Sequence, residues 1–176
     1  MMDQACVRAV EASIYAAGYP ADAAAVLLVE VDGSAEATEA EAALVESLLL
    51  RHRATEVRTA TTAAERARLW QGRKKAFGAM GRISPDLAVQ DAVVPRSTLP
   101  DILDRVAAIA AHYRLGVANV FHAGDGNLHP NISFDGGDAE ETARVEAAGG
   151  EILQLCVDMG GSITGEHGVG SEKLAH

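Results

Sequence analysis

The chain has 176 residues, enough for one domain with a proper core. Its 25 acidic and 15 basic residues leave a formal charge of −10, which excludes sequence-independent binding to nucleic acid and makes an anionic membrane surface a poor partner. Apolar residues make up 48% but aromatics only 4%, so small side chains should let helices and sheet approach closely.

In chain order, Val7, Val10 and Ile14 share one face of an opening helix that Gly18-Tyr19-Pro20 stops. Ala25 to Val31 is a short apolar run closed by Asp32-Gly33 and reads as a buried strand. Residues 35–52 return to helical spacing, with Leu44, Leu48 and Arg51 on one face and glutamates on the other. A short strand is expected near Glu56 to Thr59. Thr62-x-x-Glu65 then forms a capping box that opens a helix running to Met80.

Ala88 to Val94 is the next strand, closed by Pro95. Thr98-x-x-Asp101 is expected to cap a helix that tolerates Pro100 in its first turn and buries Ile102, Val106 and Ile109. Val117 to Phe121 and Leu128 to Phe134 are strands joined by the turn signal Ala123-Gly124-Asp125-Gly126-Asn127. Asp138-x-x-Glu141 caps the last long helix, which ends at Gly160-Gly161 and has a weak point at Gly149-Gly150. The fold class that follows is α+β, an antiparallel or mixed sheet with helices packed on one face. A Rossmann reading is weaker, because no G-x-G-x-x-G follows a strand and opens a helix.

Cys6 and Cys156 are far apart and form no CxxC, so neither a disulfide framework nor a thiolate zinc site is expected; a reducing cytoplasm fits. No stretch reaches the length of a membrane span, and no basic-then-apolar leader opens the chain. His52, His112 and His176 read as solvated residues.

The other three histidines differ. A turn at the centre of residues 120–131 makes His122 and His129 directly opposed on antiparallel strands, where Cβ atoms stand roughly 4.5–5.5 Å apart. Two imidazoles at that spacing can share one metal ion. Alternation puts Asn131 on the face of His129, and Asp125 is placed to accept from turn amides or from a histidine. The third ligand is sought in Gly160 to Gly170, where Glu166 and His167 sit between glycines with no apolar face to bury. A His–His–Glu set suits Zn, Mn or Fe(II) better than Mg or Ca, and it leaves coordination positions open. The same spacing also fits a stacked cross-strand pair beside a plain turn. A phosphate loop is excluded, since Ser171 stands where the lysine should be.

His122-Ala-Gly-Asp-Gly-Asn-Leu-His129-Pro-Asn131 and Gly165-Glu-His-Gly-Val-Gly170 together resemble the paired signatures of the C-terminal domain of FAD-linked oxidases. That family includes glycolate oxidase FAD subunits, D-lactate dehydrogenases and D-2-hydroxyglutarate dehydrogenases. Trp70-Gln-Gly-Arg73-Lys-Lys-Ala-Phe77, Ser84-Pro85-Asp86 and Val89-Gln-Asp91-Ala-Val-Val-Pro95 resemble the glycolate oxidase branch in particular. The resemblance implies a ferredoxin-like cap domain, spanning the whole chain, that covers an FAD held by a separate domain. It implies that His122, His129 and Glu166 ligate a divalent metal, that Asn131 and His167 face the substrate with His167 as base, and that Arg73 pairs with the substrate carboxylate. The reaction implied is oxidation of a 2-hydroxy acid to the 2-oxo acid by hydride transfer to flavin. Lys74 and Lys75 are expected to stay in solvent.

The family pattern also has an FAD-binding half before this region and a segment after it, neither of which this sequence contains. The chain alone is therefore expected neither to bind FAD tightly nor to turn over 2-hydroxy acids. The resemblance leaves room for other oxidase subunits and for a homo-oligomer as partners. Two other readings fit the residues: a free-standing metal-binding or hydrolytic domain, and a non-catalytic oligomerisation module.

Overall fold

In the computed structural model, which describes residues 1–171, 173 and 174, Asp3 closes β1 (Met2–Asp3) and caps α1 (Gln4–Glu11). Its carboxylate accepts from the Cys6 N–H at 2.9 Å, satisfying one of the orphan donors of the first turn. Val7 and Val10 are buried as their spacing predicts, but Ile14 lies beyond the helix and is 75% exposed. The reason is Glu11, whose carboxylate accepts from the N–H groups of Ala17, Gly18 and Tyr19 and folds the chain back early.

β2 (Ala25–Val26) pairs antiparallel with β1. The strand expected to run to Val31 stops there, because β1 offers only two residues to pair with; Leu27 and Val29 remain in solvent. No strand forms over residues 56–59 either, among the described residues. α2 (Ala35–Arg51) is capped by Ser34, whose hydroxyl accepts from Ala37 N. Leu44, Leu48 and Arg51 share a face as spaced, yet that face is exposed, and the helix leans instead through half-buried Thr38, Ala42, Val45 and Leu49.

The Thr62–Glu65 capping box is formed, each side chain accepting from the other's backbone N–H. The helix it opens is α3 (Ala63–Lys74), which breaks at Lys75 before α4 (Ala76–Met80). Tyr19 lies against Gly72 where a Cβ would stand, and α4 turns to bury Ala76, Ala79 and Met80 beside α1. Lys74 and Lys75 are exposed, as expected.

The central sheet has the order β3 (Asp86–Val89), β7 (Pro130–Phe134), β5 (Gly116–Asn119), all antiparallel. The strand expected over residues 88–94 is split. After β3, Gln90 and Asp91 leave the ladder, and β4 (Ala92–Val93) pairs with β6 (Asn127–Leu128) in a second sheet. A carboxylate cannot sit inside a buried ladder without its own donors, which is why the break falls at Asp91.

α5 (Leu99–His112) follows one 3-10 turn, Arg96–Thr98, and buries Ile102, Val106 and Ile109. Thr98 does not cap it: its hydroxyl donates to the Pro95 carbonyl at 2.8 Å. α6 (Ala139–Asp158) starts at Asp138, whose Oδ1 accepts from Glu140 and Glu141 N–H. It runs unbroken through Gly149-Gly150, because the missing side chain of Gly149 makes room for Gln90. Burial of Val145, Ala148, Ile152 and Leu153 along the same helix offsets a glycine penalty of about 1 kcal/mol.

α5 and α6 cover the sheet face that carries Ile132, as expected of an α+β layer. The smaller α1 and α4 add cover to the opposite face, against Ala118 and Val120. Cys6 and Cys156 are free and buried; burial pushes their thiols up to about 12 and about 11, so both pack as small hydrophobes. Among the described residues no helix is long and apolar enough to cross a membrane. His52 and His112 are exposed, and His176 lies outside the described residues.

Candidate metal and substrate site

The two histidine-bearing strands continue the register of β5 and β7, in which Ala118 faces Asn131 and Asn119 faces Pro130. Followed to the turn, this register puts His122 opposite Asn127, not opposite His129. The turn is tighter than a symmetric loop would be: His122 N donates to Asn127 O at 3.0 Å and Asp125 N to His122 O at 3.1 Å. Gly126, at φ +73°, makes this turn available, and a Cβ there would run into the Val94 carbonyl. The slip is of two residues, so the face is preserved and the histidines become diagonal neighbours. Their rings meet edge to face with centroids 5.7 Å apart.

The second glycine-rich segment reaches the same place through β4. Val93 and Ser162 exchange both backbone hydrogen bonds, at 3.1 and 2.8 Å, while the other edge of β4 pairs with β6. β4 thus lies between the two motifs and brings them together. Gly161 is required here, since a Cβ would overlap the Val93 carbonyl. Beyond this crossing, Glu166 Oε1 comes to 3.0 Å from His129 Nε2 and 3.8 Å from His122 Nε2. His167 stacks on His129, with centroids 5.1 Å apart and ring planes 10° from parallel.

The residue that sequence reasoning left without a role is Asp91. It is fully buried, and its carboxylate accepts from the Thr164 hydroxyl at 2.9 Å and from the N–H groups of Gly165 at 2.8 Å, Glu166 at 3.1 Å and His167 at 2.9 Å. Lys173, also buried, donates to the Asp91 carbonyl at 2.7 Å and the Ile163 carbonyl at 2.8 Å, with its ammonium 3.9 Å from the carboxylate. The available signal was an acid in the middle of an apolar strand, a charge that must find partners. Burial works against its ionisation, but the His167 and Gly165 amides, the Thr164 hydroxyl and the Glu166 amide outweigh burial and hold the carboxyl down to about 2.

A carboxyl held below its unfolded value contributes stability that is present above about pH 4 and drains away as the pH falls toward its folded value, here worth about 2 kcal/mol. Urea midpoints should therefore drop more steeply between about pH 5 and pH 2 in the wild-type chain than in Asp91→Asn. Equal slopes in the two proteins would show that Asp91 carries no such linkage.

The donors fit a divalent cation. The Gln90 carbonyl lies 3.3 Å from His129 Nδ1 and can only accept; with the imidazole proton on Nδ1, Nε2 would turn a lone pair toward Glu166. A lone pair and a carboxylate oxygen 3.0 Å apart repel unless a proton or a cation lies between them. Burial lowers the pKa of His129 against a second proton, with the Gln90 carbonyl and the Glu166 charge pulling the other way. One ligand atom each from His122, His129 and Glu166 lies within 4.8 Å of the others. The trio Asp91, His129 and His167 meets the same limit, but its acceptor atoms already serve the loop amides and its Nδ1 serves Gln90.

These groups line a cleft of about 430 Å³. Trp70 and Arg73 from α3, Phe77 from α4, and Leu28 and Phe121 line it as well. The half-buried Arg73 guanidinium forms no hydrogen bond or ion pair among the described residues; desolvation lowers its pKa while Glu166 opposes the shift. Asp125 is exposed on the cleft rim. Asn131 is not on the wall. It is fully buried beneath His129, its Nδ2 donating to Ala118 O at 3.1 Å and His129 O at 2.6 Å, its Oδ1 unpartnered among the described residues.

The chain is similar over most of its length to glycolate oxidase subunit GlcD of Escherichia coli (strain K12), with 52% identity covering 99% of this chain and 35% of that protein. GlcD of Bacillus subtilis is 40% identical over 90% of this chain and 34% of its own length. The mitochondrial D-lactate dehydrogenase [cytochrome] of Arabidopsis thaliana is 28% identical over 100% of this chain and 31% of its own. The chain therefore spans about a third of the curated relatives it matches. The family model for FAD linked oxidases, C-terminal domain, matches residues 1–175, and the chain belongs to that family.

Proposed function

We propose that the chain, as a single domain over residues 1–176, is the substrate-and-metal side of an FAD-dependent oxidoreductase converting a small 2-hydroxy acid to the 2-oxo acid. A glycolate or D-lactate type of substrate follows from the relatives' names. The observation that carries the reading is the convergence of His122, His129 and Glu166 in one cleft that Arg73 also lines.

In this reading His122, His129 and Glu166 hold a divalent ion, Zn, Mn or Fe(II), which when bound would lower the pKa of a substrate hydroxyl. FAD, held by another domain of the same enzyme, would accept the hydride. Arg73 binds the substrate carboxylate through two parallel N–H donors, a geometry that lysine cannot reproduce. His167 receives the hydroxyl proton; its ring is half exposed to the cleft and kept in place by the stack on His129. Trp70, Phe77 and Phe121 keep water from the reacting carbon. Asn131 supports His129 from below through its carbonyl, a narrower role than facing the substrate. A ferredoxin-like arrangement, contact with an FAD-binding domain and other oxidase subunits, and a cytoplasmic location belong to the same proposal.

The test is elemental analysis of the purified chain after reconstitution with Zn²⁺ or Mn²⁺, beside His122→Ala, followed by calorimetric titration of the loaded chain with glycolate and D-lactate. About one ion per wild-type chain, lost in the variant, is the expected result. Hydroxy acid should then bind the loaded chain and fail to bind Arg73→Ala. A wild-type chain that retains neither ion nor hydroxy acid would sink the reading.

A further inference from the structure

Residues 164–167 have no hydrophobic means of holding their place. Gly165, Glu166 and His167 are all exposed, and none of them belongs to a core cluster. Apart from a local exchange between Ser162 Oγ and the Thr164 backbone, the hydrogen bonds of this segment among the described residues all end on one side chain, Asp91. The geometry points to Asp91 as the positioning residue that shapes the Glu166–His167 loop and aims it at the histidine pair.

Three successive N–H groups can converge on one anion only if the backbone between them curls around it, so a carboxylate at this point dictates the curvature of the loop. With the amides turned toward Asp91, the Glu166 carboxylate reaches His129 Nε2 at 3.0 Å and the His167 ring lies flat on the same imidazole. Asp91 is itself fixed, because Gln90 N donates to Pro130 O at 2.9 Å just before it and β4 begins just after it. Lys173 fastens the start of the loop to the Asp91 backbone. The carboxylate also stands 3.8 Å from His129 Nδ1, too far for a hydrogen bond but on the side that favours a proton there. The Asp91 carboxylate meets Glu166 only at its backbone N–H and makes no hydrogen bond to the ring of His129. It acts through the backbone of one ligand and the ring of another.

An amide cannot replace this carboxylate. Asp91→Asn keeps one acceptor oxygen and turns an NH₂ group toward backbone donors, leaving partly buried N–H groups without their acceptor. The consequence for ion affinity rests on the function proposed above; the shaping of the loop does not.

The experiment has two arms on the purified full chain. In the first, amide hydrogen exchange of the ion-free protein is compared between wild type and Asp91→Asn. The Gly165, Glu166 and His167 amides should exchange about 10- to 100-fold faster in the variant, with α5, α6 and β7 unchanged. In the second, Zn²⁺ or Mn²⁺ affinity should fall by about 10- to 100-fold, the usual cost of removing the group that orients a ligand. Thr164→Val removes one donor and keeps the carboxylate; it should move both readouts in the same direction by less, and it carries the test if Asp91→Asn does not fold. A folded variant whose three amides exchange as in wild type overturns the proposal. So does acceleration spread evenly over the core helices, which marks a general structural role. If the wild-type chain retains no ion, the function proposed above fails, while the exchange arm still decides the role of Asp91.

Discussion

Replacing His129 by alanine is expected to lower the affinity of the chain for Zn²⁺ or Mn²⁺ by more than about 100-fold, beyond the range seen when a supporting group is lost. The three candidate donors are not equivalent. The side chains of His122 and Glu166 are 46% and 50% exposed, whereas that of His129 is 3% exposed. Its ring is fixed on three sides: Nδ1 by the Gln90 carbonyl, one face by His167, and one edge by His122. A ligand already ordered in the ion-free chain loses little rotamer freedom on binding, so it contributes more than its mobile partners. His122→Ala should therefore cost less than His129→Ala. Calorimetric titration measures both, and an unchanged affinity in His129→Ala would remove that residue from the site.

Phe121→Ala is expected to destabilise the chain by about 3–5 kcal/mol, a large share of the 5–15 kcal/mol that holds an ordinary domain together. Phe121 heads the fully buried side chains by volume and is 1% exposed. It joins the core under α5 and α6, and its N–H donates to Met1 O at 3.0 Å. It also stands immediately before His122 and lines the cleft, so the cavity left by alanine opens beneath the hairpin. Urea unfolding followed by circular dichroism reads the loss. A cost below about 1 kcal/mol would mean that the core does not extend under the histidines.

Much of the site was legible because its residues break local rules. His122, His129, Glu166 and His167 are titratable groups in glycine-rich segments with no apolar periodicity, and segments of that kind are spared from packing. The α+β class was legible from alternating spacings and from the caps at Thr62 and Asp138. What was not legible depends on partners distant in sequence. The run from Ala25 to Val31 has strand composition, but only two residues of β1 are there to pair with it. Directly opposed histidines required a longer turn; the observed one closes at His122 and Asn127, where Gly126 O accepts from Val94 N just after β4. Asp91 appeared only as part of a motif, since its four donors come from a segment 73 to 76 positions away.

The position of β4 between the two glycine-rich motifs also bears on the order in which the molecule assembles. Contacts closed over so many residues cost chain entropy before they return any energy, so they form late in folding. The hairpin with α5 and α6 can collapse on local and apolar contacts alone. The ligand-bearing loop must wait until the strand between them is laid down. An ion that binds only the finished arrangement would then stabilise the native chain in proportion to its concentration, slowing unfolding more than it speeds folding.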